Sequence, residues 1–288
     1  MGEPDWEAVE ERPGSMKAWI LTKRLEGRSE RTLAFYYDTV KRLEAQLGRD
    51  PMDATTAEVR EFLSSFKSTC SNVTINNYRR NLNSYYSFLE DEDMIAKSPM
   101  RKIHYIKEDK TVKEPFSDEE VQRIIDNAGD ARDRAVVTFL ASTACRVGEV
   151  VGIKTDDVDM DEREAKVYGK GGKERIVYFD ARAKLALSEY LATRSDGCPY
   201  LFVSKSGTRH QLTVGRIEDI VRQIGVRAHV DKCHPHRFRR TVATRAIDRG
   251  MPIEQTKELL GHSQIQTTMI YAKVSRENVK ASHRKYLS

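Results

Sequence analysis

The sequence predicts a mainly α protein carrying a small antiparallel β-sheet, an α+β chain in two domains. Three observations lead there. The 288 residues exceed the commonest single-domain size, so two hydrophobic cores are the natural expectation. Apolar stripes at three-to-four spacing, opened by capping residues, recur along most of the chain. A Gly-rich turn, Gly169 to Lys173, separates two short strand-like runs.

Residues 1–14 read as a flexible acidic leader, because Glu3, Asp5, Glu7, Glu10 and Glu11 precede the first base, Arg12, and Pro4 and Pro13 discourage a helix. Residues 15–101 form the first domain, a module of four helices. One of its stripes is Leu33, Tyr36, Tyr37, Val40, Leu43 and Leu47, with Ser29 placed to cap it. After a loop at Asp50 and Pro51, Thr55 and Glu58 have capping-box spacing ahead of Val59, Phe62 and Leu63. Ser71 then opens the stripe Ile75, Tyr78, Leu82, Tyr85, Tyr86 and Leu89. Pro99 and a run of charges with scattered apolar residues place a linker at 102–114.

The second domain, 115–288, begins at a capping box of Ser117 and Glu120. Its periodicity predicts helices near 117–128, 131–141, 181–193, 213–227, 238–248, 253–260 and 264–272. Strands are expected at 165–168 and 175–179, joined as a hairpin with a longer loop. Residues 272–288 are a tail of the length of a short docking helix, with Val274 and Val279 as anchors.

Composition narrows the function classes. A net charge of +5, with five acids confined to the leader, leaves the remainder more basic than the total and permits contact with a phosphate backbone. Cys70, Cys145, Cys198 and Cys233 form no CxxC pair, which argues against a zinc ribbon or a disulfide scaffold and fits a reducing cytoplasm. The weakly polar stretch Ala135 to Cys145 is too short to span a bilayer, so neither secretion nor membrane insertion is expected.

Five segments combine charged residues with local structure in a way that folding alone does not demand: TACRVGEV, GKGGKER, HPHRFRR, LLGH and IYAKV. Arg146 follows an apolar run, and a pair with Glu149 on one helical face would account for it without catalysis. Lys170, Lys173 and Arg175 surround the hairpin tip, where a solvated basic turn is the plain alternative. His236 and Arg239, at i and i+3, share a helix face and can converge on one anion. A zinc site from Cys233, His234 and His236 lacks a second ligand pair at finger-like spacing, and Pro235 constrains the approach, so no metal is expected. His262 follows Gly261 at a helix end, where it would equally serve as a cap. Tyr271 is one of 12 tyrosines, most of which are expected in cores.

In this order the five segments resemble the signature of the tyrosine recombinases, the integrase-like family that includes the Xer proteins and many phage integrases. The resemblance runs from about Ser15 to the end. It implies an N-terminal four-helix, SAM-like core-binding domain followed by a tyrosine-recombinase catalytic domain. It also implies that Arg146 and Arg239 clamp the scissile phosphate and that Glu149 supports the site from behind. Lys170 becomes the general acid, His236 and His262 assist, and Tyr271, nine positions after His262, becomes the nucleophile. Ala144 and Cys145 stand where the family commonly has Gly-Leu.

A phenol ionises near pH ~10, so its attack on phosphorus needs a proton acceptor and strong stabilisation of charge on the phosphate. The implied reaction passes through a 3′-phosphotyrosyl link and a Holliday junction, and its implied assembly is four protomers on two duplexes, with or without a hetero-partner recombinase. Arg79, Arg80, Lys97, Arg101, Lys102, Lys107, Lys173, Arg175, Arg237 and Arg240 are the expected DNA contacts, positioning the protein without reading bases. The expected location is the cytoplasm, on the nucleoid. A type IB topoisomerase would use the same chemistry without exchanging partners, and a non-catalytic DNA-binding regulator would keep only the fold.

Overall fold

The computed structural model describes residues 6, 14–108, 114–169, 172, 174–205, 207–272 and 283–284. It divides into two compact units, Met1–Val112 and Lys113–Ser288, each with its own core.

The first unit is built from α1 (Ser15–Leu25), α2 (Glu30–Leu47), α3 (Thr56–Ser65) and α4 (Asn72–Asp91). Side-chain caps fix three of the starts: Ser29 for α2, Ser71 for α4, and a full capping box of Thr55 and Glu58 for α3. The helices converge on Trp19, which is fully buried, stacks on Tyr36 at 5.1 Å and meets the edge of Tyr85 at 5.2 Å. The two fully buried tyrosines of α4 keep their hydroxyls bonded, Tyr85 to Ser15 and Tyr86 to the carbonyl of Pro51.

Residues 103–108, within the expected linker, are tied to α4. The Asn76 amide acts as a strand partner, donating to the carbonyl of Ile106 and accepting its N–H. Asn72 donates to the carbonyl of Lys107, and Arg79 donates to the carbonyl of Ile103 while lying 4.1 Å from the Tyr105 ring. Residues 109–113 lie outside the described residues. So do all leader residues before Gly14 except Trp6, which packs on Tyr37 and under Arg24.

The second unit contains α5 (Asp118–Asp126), α6 (Ala131–Thr143), α7 (Val147–Gly152), β1 (Val158–Asp159), β2 (Glu164–Tyr168), β3 (Glu174–Tyr178), α8 (Ala181–Ala192), α9 (Val214–Arg227), α10 (Pro235–Asp248), α11 (Ile253–Leu260) and α12 (Ile265–Met269). α6 is the central helix, with Ala135 to Leu140 all buried, and Phe139 packs against Phe179 and Phe202. Each such side chain contributes roughly 1.5–3 kcal/mol of burial energy. The sheet has order β1-β2-β3 and is antiparallel throughout. Its register pairs Ala165 with Val177 and Val167 with Arg175 on the inward face.

Four elements differ from the sequence expectation. α7 and β1 are additional, each too short for periodicity to register. α10 begins at Pro235, three residues earlier than expected, because proline suits the first helical position and His234 caps it through Nδ1. α12 ends at Met269, so Tyr271 sits in the turn beyond the helix, its N–H bonded to the carbonyl of Thr268.

Candidate active site

The site is organised around the C-terminal end of α11. Gly261 takes the left-handed conformation, with φ of 59°; its N–H bonds to the carbonyl of Glu258 and that of His262 to Lys257, the double closure of a Schellman turn. That closure leaves the carbonyls of Leu259, Leu260 and Gly261 without helical partners. Three arginines supply them: Arg175 donates to Leu259 at 2.7 Å, Arg239 to Leu260 at 2.5 Å and Arg146 to Gly261 at 3.0 Å. Cations also suit the negative end of the helix dipole.

A single carboxylate joins this group. Glu149, whose side chain is 3% exposed, accepts bonds from the Arg146 guanidinium, the Arg146 backbone N–H and Arg175, each at 2.8 Å. Burial opposes ionisation of Glu149, but the Arg146 amide and the two guanidinium groups outweigh it and hold the carboxyl below the usual range. The Arg146–Glu149 pair is therefore real and is one part of a larger cluster. Arg146 remains the open member, its side chain 39% exposed.

Arg239 lies deeper, 4% exposed, and also donates to the carbonyl of Ala144. Burial first, and then the neighbouring Arg146, push its pKa down to about 10, which still leaves it charged at neutral pH. Ala144 takes the left-handed conformation with φ of 56°. That conformation costs a non-glycine residue roughly 1–2 kcal/mol, and here it turns the carbonyl toward Arg239.

His262 and Tyr271 complete the arrangement. The His262 ring is nearly parallel to that of Tyr271, 17° apart with centroids 6.2 Å away, and its Nδ1 is 2.9 Å from the Thr268 hydroxyl. Burial, followed by Arg239, Arg146 and Arg175, pushes the His262 pKa down to about 4, so the imidazole is neutral at pH 7. Tyr271 is half-buried against Ala144, Ala243 and Leu260. His236 is exposed in the first turn of α10, one turn before Arg239. Lys170 and Lys173 lie outside the described residues.

The expected DNA contacts separate into two groups. Arg80, Lys97, Arg101, Lys102 and Lys107 are exposed. Arg79 is half-buried and held by Ile103 and Tyr105. Arg237 is turned away from a phosphate-facing position: it donates to the carbonyls of Asp231, Glu114 and Pro115, pairs with Glu120 and covers the Phe116 ring. Arg240 is half-buried, 3.4 Å from the carbonyl of Glu114. Arg175 likewise faces inward, because it shares a face of β3 with Val177, and its partners are protein atoms. That alternation was the signal available in the sequence, and it sets Arg175 among the site residues. His234 caps α10 and the buried Cys233 thiol is pushed up to about 12 by desolvation. Among the described residues no three His, Cys, Asp or Glu side chains gather as metal ligands.

Residues 114–278 match the phage integrase family, and residues 16–96 match the phage integrase N-terminal SAM-like domain. The chain is 30% identical over 272 residues to the tyrosine recombinase XerC of Staphylococcus saprophyticus, covering 88% of this chain and 89% of that protein. It is also 30% identical to the tyrosine recombinase XerA of Pyrococcus horikoshii, covering 89% and 87%. The fold is shared with the Tn1549 transposon integrase solved in complex with a circular intermediate DNA, with a TM-score of 0.76 at 19% identity over 94% of this chain and 98% of that one.

Proposed function

Because the chain belongs to the phage integrase family and is a site-specific tyrosine recombinase, we propose that Tyr271 joins covalently to a DNA 3′-phosphate at the end of α11. The observation that carries this reading is the gathering of Arg146, Arg175 and Arg239 at three adjacent carbonyls of the α11 end, with Glu149 on two of these arginines and the paired rings of His262 and Tyr271 beside Leu260.

Tyr271 Oη attacks phosphorus in line, the bond from phosphorus to the 5′-oxygen breaks, and the 3′-phosphate remains on the tyrosine. The phenol proton passes to His236, and Lys170 protonates the departing 5′-oxygen. Arg146, already partly open to solvent, binds a non-bridging oxygen, and Arg239 supports the same phosphate from below. In this reading the Thr268 hydroxyl, 2.9 Å from Nδ1, donates a hydrogen bond to neutral His262, whose ring proton then sits on Nε2 and is directed to a phosphate oxygen. Attack by a 5′-hydroxyl from another strand reverses these steps with a new partner, and no cofactor enters.

The proposed substrate is double-stranded DNA bearing a specific site, with Arg80, Lys97, Arg101, Lys102 and Lys107 on the backbone. Recombination then proceeds in a tetramer of this chain, or with a related partner, through a Holliday junction on the nucleoid in the cytoplasm. The tail 272–288, which lies almost wholly outside the described residues, docks on the neighbouring protomer. No described helix is long and apolar enough to cross a membrane.

The test uses a binding site selected from random-sequence duplexes, placed twice on one supercoiled plasmid. Deletion or inversion products with transient four-way junctions are expected. Relaxation of supercoils without exchanged products would point instead to topoisomerase-like action.

A further inference from the structure

Arg175 is the residue that three separate parts of the site share. It is carried by β3, its Nη1 bonds to the Leu259 carbonyl on α11, and its Nη2 bonds to Glu149 on α7. Its side chain is 14% exposed, and its Nε is buried without a hydrogen-bond partner. The shaft lies against Gly261, where an added Cβ would come within 2.8 Å of both Cδ and Nε. Gly261 is therefore required twice, for its positive φ and for the approach of Arg175.

We propose that Arg175 is a positioning residue for strand cleavage, registering the β2–β3 hairpin against Glu149 and the α11 turn so that Arg146 and His262 stand at fixed distances from Tyr271. Its two hydrogen bonds are the reason a planar fork is needed. Lysine can satisfy one acceptor at a time, whereas the guanidinium spans the carboxylate and the carbonyl together. The chain of action is explicit. Arg175 holds the Glu149 carboxylate, which orients the Arg146 guanidinium, and it holds the Leu259 carbonyl two residues before the turn that presents His262. Lys170, outside the described residues, lies in the sequence between these two strands, and the Arg175 contact anchors the second of them, β3.

The inference rests on the recombinase reading, and the experiment separates the two. Wild type, Arg175→Gln and Arg175→Lys are compared on a nicked duplex of the selected binding site, measuring affinity and single-turnover covalent trapping. Affinity within about twofold of wild type is expected for both variants, because phosphate contacts elsewhere set binding. Trapping should slow on the order of 100-fold in Arg175→Gln, as for removal of one preorganised donor, with partial recovery in Arg175→Lys. If wild type is not trapped, the recombinase reading fails. If wild type is trapped and either variant matches its rate, the positioning role is overturned.

A second readout needs no DNA. Histidine 15N NMR of the free protein should show the His262 titration moving upward in Arg175→Gln, since a nearby positive charge is removed. An unmoved titration in a folded variant would overturn the placement of Arg175 beside the site. Should Arg175→Gln fail to fold, Arg175→Lys alone decides through its trapping rate, with the wild-type rate as the overturning result.

Discussion

The two ends of α6 both withdraw an arginine from solvent, and they do so on opposite electrostatic terms. At the N-terminal end, Arg132 bonds twice to Asp133, while Lys205 pairs with Asp130 and approaches Asp133, so two cations face two carboxylates. At the C-terminal end, the carbonyl of Ala144 binds Arg239, which lies in a group of three arginines where, among the described residues, Glu149 is the one carboxylate, bonded to Arg146 and Arg175. Three cations against one carboxylate leave two positive charges balanced by carbonyl dipoles alone. Balanced burial serves stability; buried surplus charge holds a place for an anion.

Substituting each end sharpens that contrast. Arg239→Met should slow covalent trapping on a nicked duplex of the selected site by about 10³-fold, the upper range for removing one preorganised donor, with the smaller change in melting temperature. Arg132→Met should do the reverse. Leaving half-buried Asp133 with Lys205 alone, 3.7 Å away, costs about 1.5–3 kcal/mol, while trapping by the folded protein stays within about threefold of wild type. Calorimetry beside single-turnover trapping checks both, and the opposite pattern would break the comparison.

Glu149→Gln comes next in size. Burial works against the carboxylate, but its three donors hold its pKa below the unfolded value, so it contributes stability above about pH 4.5 that is lost as pH falls through the lowered pKa. The variant should be less stable than wild type by about 2 kcal/mol at pH 7, with the gap closing in acid, as urea titrations at several pH values would show.

Inorganic sulfate probes the surplus charge directly. Tenfold above its dissociation constant it should stabilise the folded protein by about 1.4 kcal/mol beyond general salt effects, and Arg146→Ala should lose that increment. Equal stabilisation of both proteins would place the sulfate elsewhere.

The smallest effect belongs to His262. Its folded pKa of about 4 lies below the unfolded value, so the unfolded chain takes up the proton first and stability declines as pH falls from 6.5 toward 4. The ring is half-buried, and screening limits this to about 1 kcal/mol. In His262→Gln the slope of melting temperature over that window should flatten.

Much of this was legible in the residues because local rules agreed with the fold. The capping boxes at Thr55–Glu58 and Ser117–Glu120 both form, and each opens the helix its spacing announces. α7, with six residues, and β1, with two, are too short to carry a period. The mainly α fold with its small antiparallel sheet and the family of the chain were readable from ordered motifs. Arg175 was harder, because a basic residue near a hairpin tip resembles a DNA contact until strand alternation puts it beside Val177. Arg237 similarly looks phosphate-facing within HPHRFRR, yet its guanidinium joins the start of the catalytic unit to Asp231. The destination of a long side chain depends on partners far along the chain, 84 residues for Arg175 to Leu259 and 123 for Arg237 to Glu114, and periodicity does not encode those.

The central claim is that Tyr271 forms the covalent bond to DNA. Wild type is incubated with a nicked duplex of the selected site whose cleaved end diffuses away, and the protein–DNA adduct is digested and mapped by mass spectrometry. The account predicts a 3′-phosphate on the peptide containing Tyr271 and no adduct from Tyr271→Phe. An adduct from that variant, or one mapped to Tyr286, would contradict it.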